Sequence, residues 1–222
     1  INTDLEELVN VDATNFLSLF ESKGLISNKI LDKIIYNFLE KLKLSKTLTL
    51  KQYYDHTNIE IHMYTVNIND NPLKLVDLSY KTHPNLMLLT ALKMTMAIPF
   101  VLEPVIYKNG CYIDGALFEF KPVDQCITQT NCKLNELLIL EQDDEWLKKI
   151  KIITKESNIL DFSITFVQNL LNYIVKDKFI LPENLPYRVK ILYEKSPHLI
   201  WMEGFKYKKC RKEYIQQGVE ML

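Results

Sequence analysis

Apolar residues recur at helical spacing along much of this chain, and the period changes about a quarter of the way along it. From Ser27 onward Ile30, Leu31, Ile34, Ile35, Phe38, Leu39 and Leu42 fall three and four residues apart with lysines between them, which predicts an amphipathic helix laid on a core. Around Ile59 the period becomes two. Ile59 to Ile68 alternates as a strand, Asn69-Asp70-Asn71-Pro72 is turn chemistry, and Leu73 to Tyr80 predicts a second strand paired with the first. His83-Pro84-Asn85 then opens a helix that is apolar nearly all round (Leu86, Met87, Leu88, Leu89, Ala91, Leu92, Met94, Met96), a pattern that predicts burial between other elements.

Upstream, residues 3–23 read as one or two short helices: Thr3 and Glu6 have capping-box spacing, Asp12 is a second N-cap candidate, and Gly24 suits a C-terminal stop. Downstream, Leu134 to Leu140 reads as a short strand of buried type, and the acidic tract Glu141 to Glu145 marks its exit to solvent. Ser157 or Asn158 caps a helix carrying Ile159, Leu160, Ile164, Val167, Leu170, Leu171, Ile174 and Val175 as core or cover. Tyr187 to Tyr193 alternates as a strand, and a last helix is predicted from about Phe205 to Gly218. Strands alternating with helices point to an α/β layered domain. No internal repeat or interdomain linker interrupts it, so one domain over residues 1–222 is the expectation.

Composition narrows the classes. With 222 residues and 47% hydrophobic content the chain buries one good core. A net charge of −1 argues against a general nucleic-acid binder. Five glycines leave little room for Gly-rich phosphate loops. No apolar run approaches the roughly 18 residues of a spanning helix, and no signal peptide is recognisable. Cys111, Cys126, Cys132 and Cys210 form no C-x-x-C pair, which favours free thiols in a reducing compartment over disulfides or zinc. No H-E-x-x-H or other ligand spacing joins His56, His62 and His83, and the acidic tract lacks the glycine and alternation of a calcium loop. Neither a metal nor a cofactor is implied. Lys206, Lys208, Lys209, Arg211 and Lys212, interleaved with Tyr207 and Tyr214, read first as the wet face of a terminal helix and second as a contact for anionic lipid headgroups.

Chemistry concentrates in residues 89–122. The apolar helix ends at Pro99, a hairpin turns at Asn109-Gly110, and Asp114-Gly115-Ala116 forms a tight bend before Pro122. By itself Asp-Gly is a common turn dipeptide. In this order of elements, however, the run resembles the C-terminal signature of patatin-like phospholipases, in which a helix ending in an S-x-(S/A)-x-P-like pattern leads through a hairpin to a D-G-G/A motif. Here Thr95, Ala97 and Pro99 stand in the first pattern, and Asp114, Gly115 and Ala116 in the second. Leu19-Phe20-Glu21-Ser22-Lys23-Gly24-Leu25 resembles the family's L-F-x-x-x-G-L lead-in. Leu48 to Tyr53 is similar to its T-x-x-E-L position, and Ser79 to Asn85 to its S-x-x-T-x-P-D. The resemblance covers about residues 16–125.

That resemblance implies a three-layer α/β/α sandwich and a serine lipid acyl hydrolase acting on membrane phospholipids or other lipid esters, cytoplasmic or peripheral to a membrane. Its chemistry would run on a Ser–Asp dyad, with Asp114 as general base and Gly115 letting the backbone bend. The departure is the G-x-S-x-G nucleophile elbow: none of the eight serines lies between glycines two residues away on each side, and no Gly-rich oxyanion loop is present. With Ile1 as the start, the expectation is a family domain lacking its N-terminal strands and nucleophile, inactive by itself. The alternative is a non-catalytic relative that binds lipid or a partner, and the blandest is an unrelated α/β domain in which Asp114 only makes a turn. The Lys/Asn/Ile-rich make-up is similar to the smaller bacterial and viral members of the family.

Overall fold

A computed structural model of the chain describes residues 21, 23–118, 122–142, 152–157, 159–175, 187–191 and 207–220. The helices expected within residues 3–20, the end of the acidic tract and the loop at Pro182 and Pro186 lie outside the described residues. The chain gathers into two compact units: Val11–Phe120, and Ile1–Asn10 together with Lys121–Leu222.

In the first unit, strand β1 (Gly24–Ile26) leads into helix α1 (Asn28–Lys41). Gly24 therefore opens a strand rather than closing a helix. It packs so closely on Leu102 and Glu103 that a β-carbon would overlap their backbone. The Ser27 hydroxyl accepts the Lys29 amide, and the Glu103 carboxylate accepts the Asn28 amide at 2.8 Å, placing a negative group at the positive end of α1. Leu31, Ile35 and Leu39 form the buried face, whereas Phe38 and Leu42 stay exposed. Helix α2 (Leu50–Thr57), which has little apolar periodicity to announce it, is closed by a reciprocal Thr49–Gln52 capping box at one end and by left-handed Asn58 at the other.

Strands β2 (Met63–Asn67) and β3 (Leu75–Leu78) form the expected antiparallel pair, joined through a loop containing a cis Asn71-Pro72 bond. Helix α3 (Leu88–Met96) buries Leu88, Leu89, Thr90, Ala91 and Met94, as its apolar surround predicts. Each large apolar side chain among them contributes about 1.5–3 kcal/mol of burial. Lys93 on α3 pairs with Asp32 on α1 at 2.7 Å. The stretch before α3 is held by backbone: the Leu50 and Lys51 amides donate to Leu86 and Pro84 carbonyls, and Leu88 donates back to Leu48. Two otherwise unsatisfied amides at the start of α2 are thereby satisfied.

Beyond Pro99 come β4 (Phe100–Leu102), parallel to β1, and the hairpin β5 (Val105–Tyr107) and β6 (Gly110–Asp114). Tyr107 pairs with Gly110, so the two turn residues are Lys108 and Asn109, one position earlier than the sequence suggests. Lys108 takes the left-handed conformation (φ 51), and Gly110 instead leaves room for the Tyr112 ring. The completed sheet is antiparallel in the order β3-β2-β6-β5. With the helices it makes an α/β fold.

The second unit holds helices α4 (Val123–Thr130), α5 (Ile159–Val175) and α6 (Lys208–Glu220), and a parallel pair β7 (Ile139–Gln142) and β8 (Arg188–Ile191). The buried strand expected over Leu134–Leu140 is corrected. A Glu136 carboxylate on the Lys133 amide winds Leu134–Glu136 into a 3₁₀ turn, the strand starts at Ile139, and Leu138 and Leu140 are exposed. On α5, Ser163, Thr165 and Val167 are buried, while Ile159, Phe162, Phe166, Leu170 and Tyr173 lie exposed along a single stripe rather than in a core. No helix among the described residues is long and apolar enough to cross a membrane.

Candidate active site

The segments carrying the two halves of the signature meet at the backbone of Tyr64 and Thr65 in β2, some distance back in the sequence. Thr95, in the last turn of α3, donates its hydroxyl to the Tyr64 carbonyl at 2.7 Å. Ala97, buried at the end of that helix, turns its carbonyl toward β6 and accepts the Asp114 amide at 2.9 Å. Asp114 is the last residue of β6 and pairs in register with Thr65. The Thr65 side chain is fully buried and donates to the Ile113 carbonyl at 2.7 Å, so β2 grips β6 by a side chain as well as by the ladder. Sequence reasoning named Thr95, Ala97 and Asp114 but not Thr65. A threonine at a buried strand position was the available signal, because a buried hydroxyl needs a partner.

Gly115 begins a 3₁₀ turn (Gly115–Leu117) and fits for a steric reason. A β-carbon there would sit on the Tyr64 carbonyl and 2.8 Å from the Thr65 nitrogen. It takes no left-handed φ, so the expectation that its conformational freedom makes the bend is corrected: the bend needs the missing side chain.

The Asp114 carboxyl is partly buried. Its Oδ1 accepts the Ala116 amide at 2.8 Å, capping the turn that follows. Among the described residues its second oxygen has no hydrogen-bond partner. Burial raises the pKa to about 6 from an ordinary 3.8, with the Ala116 hydrogen bond pulling weakly the other way. Such a group is neutral in mild acid and a competent proton acceptor at neutral pH, one of its oxygens already fixed in direction.

The other singled-out residues are occupied structurally. Ser79 and Thr82, from the S-x-x-T-x-P-like stretch, form a knot in which Thr82 donates to the Asp77 carbonyl at 2.6 Å and hydrogen-bonds Ser79. The His62 ring lies between carboxylates, Nδ1 2.9 Å from Asp77 and Nε2 2.7 Å from Glu60, as a satisfied histidine does. His83 contacts the Thr82 hydroxyl. Lys208, Lys209 and Lys212 are exposed on α6.

Comparison with known proteins shows the family. The family model of patatin-like phospholipases matches residues 1–127, and the chain belongs to that family. A probable lipid hydrolase, 463L of Invertebrate iridescent virus 6, is 26% identical over 133 residues, which is 60% of this chain and 43% of the viral protein. The chain thus spans less than half the length of the curated relative it matches. No solved structure matches the chain significantly.

Two stability measurements test the site. Gly115→Ala should cost about 2–3 kcal/mol in urea unfolding followed by circular dichroism, because its methyl meets backbone that cannot step aside. Gly218→Ala, on an open helix face with nothing within 4 Å, should be neutral or slightly stabilising. A Gly115→Ala chain as stable as its parent would refute the close contact. The second concerns charge. Because the folded pKa of Asp114 lies above its ordinary value, the folded state holds a proton that the unfolded chain gives up, and stability falls as pH rises from about 4 to about 6. Asp114→Asn keeps the acceptor for Ala116 and removes the ionisation. It should be more stable than the parent by about 1–3 kcal/mol at pH 8, an advantage that shrinks below about pH 6.

Proposed function

We propose that this chain supplies the aspartate of a Ser–Asp dyad in a patatin-like lipid acyl hydrolase whose substrates are membrane phospholipids or related lipid esters. One observation carries the reading: a partly buried carboxyl ends β6, one oxygen tied to the Ala116 amide, the other without a partner among the described residues, its pKa pushed up to about 6. In the proposed reaction that second oxygen accepts the proton of a serine hydroxyl as the serine attacks the ester carbonyl. It then returns the proton to the leaving alcohol, with no histidine between. Family membership and the name of the viral relative support the hydrolase class.

The serine is not in an elbow anywhere in these 222 residues, and among the described residues no hydroxyl hydrogen-bonds Asp114. The nucleophile of the proposed dyad, with its oxyanion donors, then belongs to further polypeptide of the same single domain, completing the three-layer sandwich. The 222-residue chain assayed alone is then inactive, since each missing element is worth factors of order 10²–10³ or more. Peripheral contact with a lipid surface through the exposed lysines of α6 is part of the same reading.

A second reading has its own support. Asp114 already caps its turn, and no elbow is present, which suits a non-catalytic relative that binds lipid or a partner. Activity separates the two. With the full-length product on short acyl esters, Asp114→Asn should lose at least about 10³-fold in kcat, and the parent's kcat/KM should rise about tenfold per pH unit up to a limb near pH 6, where the base loses its proton. A full-length product with no esterase activity, or an Asn variant as active as the parent, defeats the dyad.

A further inference from the structure

Helix α4 ends in a reversal that brings two cysteines together. Asn131 takes the left-handed conformation (φ 54, ψ 30) and donates its amide to the Ile127 carbonyl at 2.8 Å. In this kind of helix end, the residue after the left-handed position folds back on the helix against a side chain four or five positions from its end. Here the residue folding back is Cys132, and the side chain it meets is Cys126. Thr130 stitches the two backbones: its hydroxyl donates to the Cys126 carbonyl at 2.7 Å, and its oxygen accepts the Cys132 amide at 3.4 Å. The Cys132 thiol adjoins that of Cys126, and both residues are half-buried, within reach of a small reagent.

We propose that Cys126 and Cys132 form a reversible dithiol–disulfide couple, oxidised to an internal disulfide by a low-molecular-weight disulfide. The Cys132 thiolate attacks one sulfur of the reagent; that S–S bond breaks, one small thiolate leaves, and a mixed disulfide remains on Cys132. The Cys126 sulfur, losing its proton, then attacks the Cys132 sulfur and expels the second small thiolate. The two protein thiols lose two electrons and two protons, and the reagent ends as two small thiols.

The order of attack follows from the surroundings. Burial, and then the adjoining Cys132 thiol, push the Cys126 thiol up, so it forms thiolate poorly and serves as the resolving sulfur. Cys111 is buried and its thiol is likewise pushed up, which removes it as a competitor. Cys210, on α6, serves as a control thiol. Nothing in C-x₅-C spacing announces such a pair, because the left-handed cap supplies the proximity.

The test is incubation of the full chain with oxidised glutathione, alkylation of remaining thiols and mass spectrometry after cleavage at glutamate. Residues 120–136 then form a peptide holding Cys126 and Cys132 and neither other cysteine. In the parent chain this peptide should lose the mass of two hydrogens, reversibly with dithiothreitol. Cys126→Ser should trap a glutathione adduct on Cys132. Cys132→Ser should leave Cys126 reacting more slowly than Cys132 does in the Cys126→Ser chain, because Cys126 remains the more buried thiol. Adducts on both cysteines without an internal bond, or internal bonds formed preferentially with Cys111 or Cys210, overturn the couple. Equal reactivity of the two single variants overturns the order of attack.

Discussion

The first unit depends on the close approach of two bends to one short piece of strand. The end of α3 and the end of β6 both press on Tyr64 and Thr65, and each is held by backbone: Ala97 accepts the Asp114 amide, and Gly115 lies on the Tyr64 carbonyl. Backbone-to-backbone contact of this kind has no slack. Side chains hop between rotamers, but a carbonyl pinned in a ladder moves only if the strand moves, so the position of Asp114 is set to within the tolerance of the sheet. The buried Thr65 hydroxyl on Ile113 adds a bond that pulls β6 onto β2 one residue before the bend.

Much of this fold was legible because its signals were periodic. The helix over Asn28–Lys41, the β2–β3 pair and the long helix Ile159–Val175 all sit where a repeat of 3.6 or 2 placed them. What escaped was governed by contacts with no period. Helix α2 has a weak apolar pattern and is made by its capping box, and β1 and β4 are three-residue strands that exist only because they pair with each other. Leu134–Leu140 misled because a run of leucines says apolar without saying how it is covered. A local carboxylate–amide bond turned its first half aside.

At the site, the sequence identified the residues that converge but misread why. Motif order put Thr95, Ala97 and Asp114 on one list, and the structure joins their segments on one strand. Gly115 looked like a hinge and is a clearance. The Asn109-Gly110 turn lies one residue earlier because register is fixed by ladder pairing, with Lys108 accepting the positive φ that a glycine would take more easily. Thr65 was invisible as a site residue, since one threonine within a strand is unremarkable until its burial is known.

Capping a turn and serving as the proposed base would compete for Asp114, yet the geometry leaves room for both. A carboxylate has two oxygens, and Ala116 takes only one. Holding that oxygen fixes both side-chain torsions, so the direction of the second is set as well, and the conformational entropy that a free carboxylate would lose in acting as the proposed base is already lost. A structural cap alone would be better served by asparagine or serine, which accept the same amide without burying a charge. Keeping a carboxyl whose pKa has been driven to about 6 is a cost to folding at neutral pH that the turn itself does not require. That residual cost, with one oxygen bound and its partner left over, is the physical reason to look for chemistry at this bend.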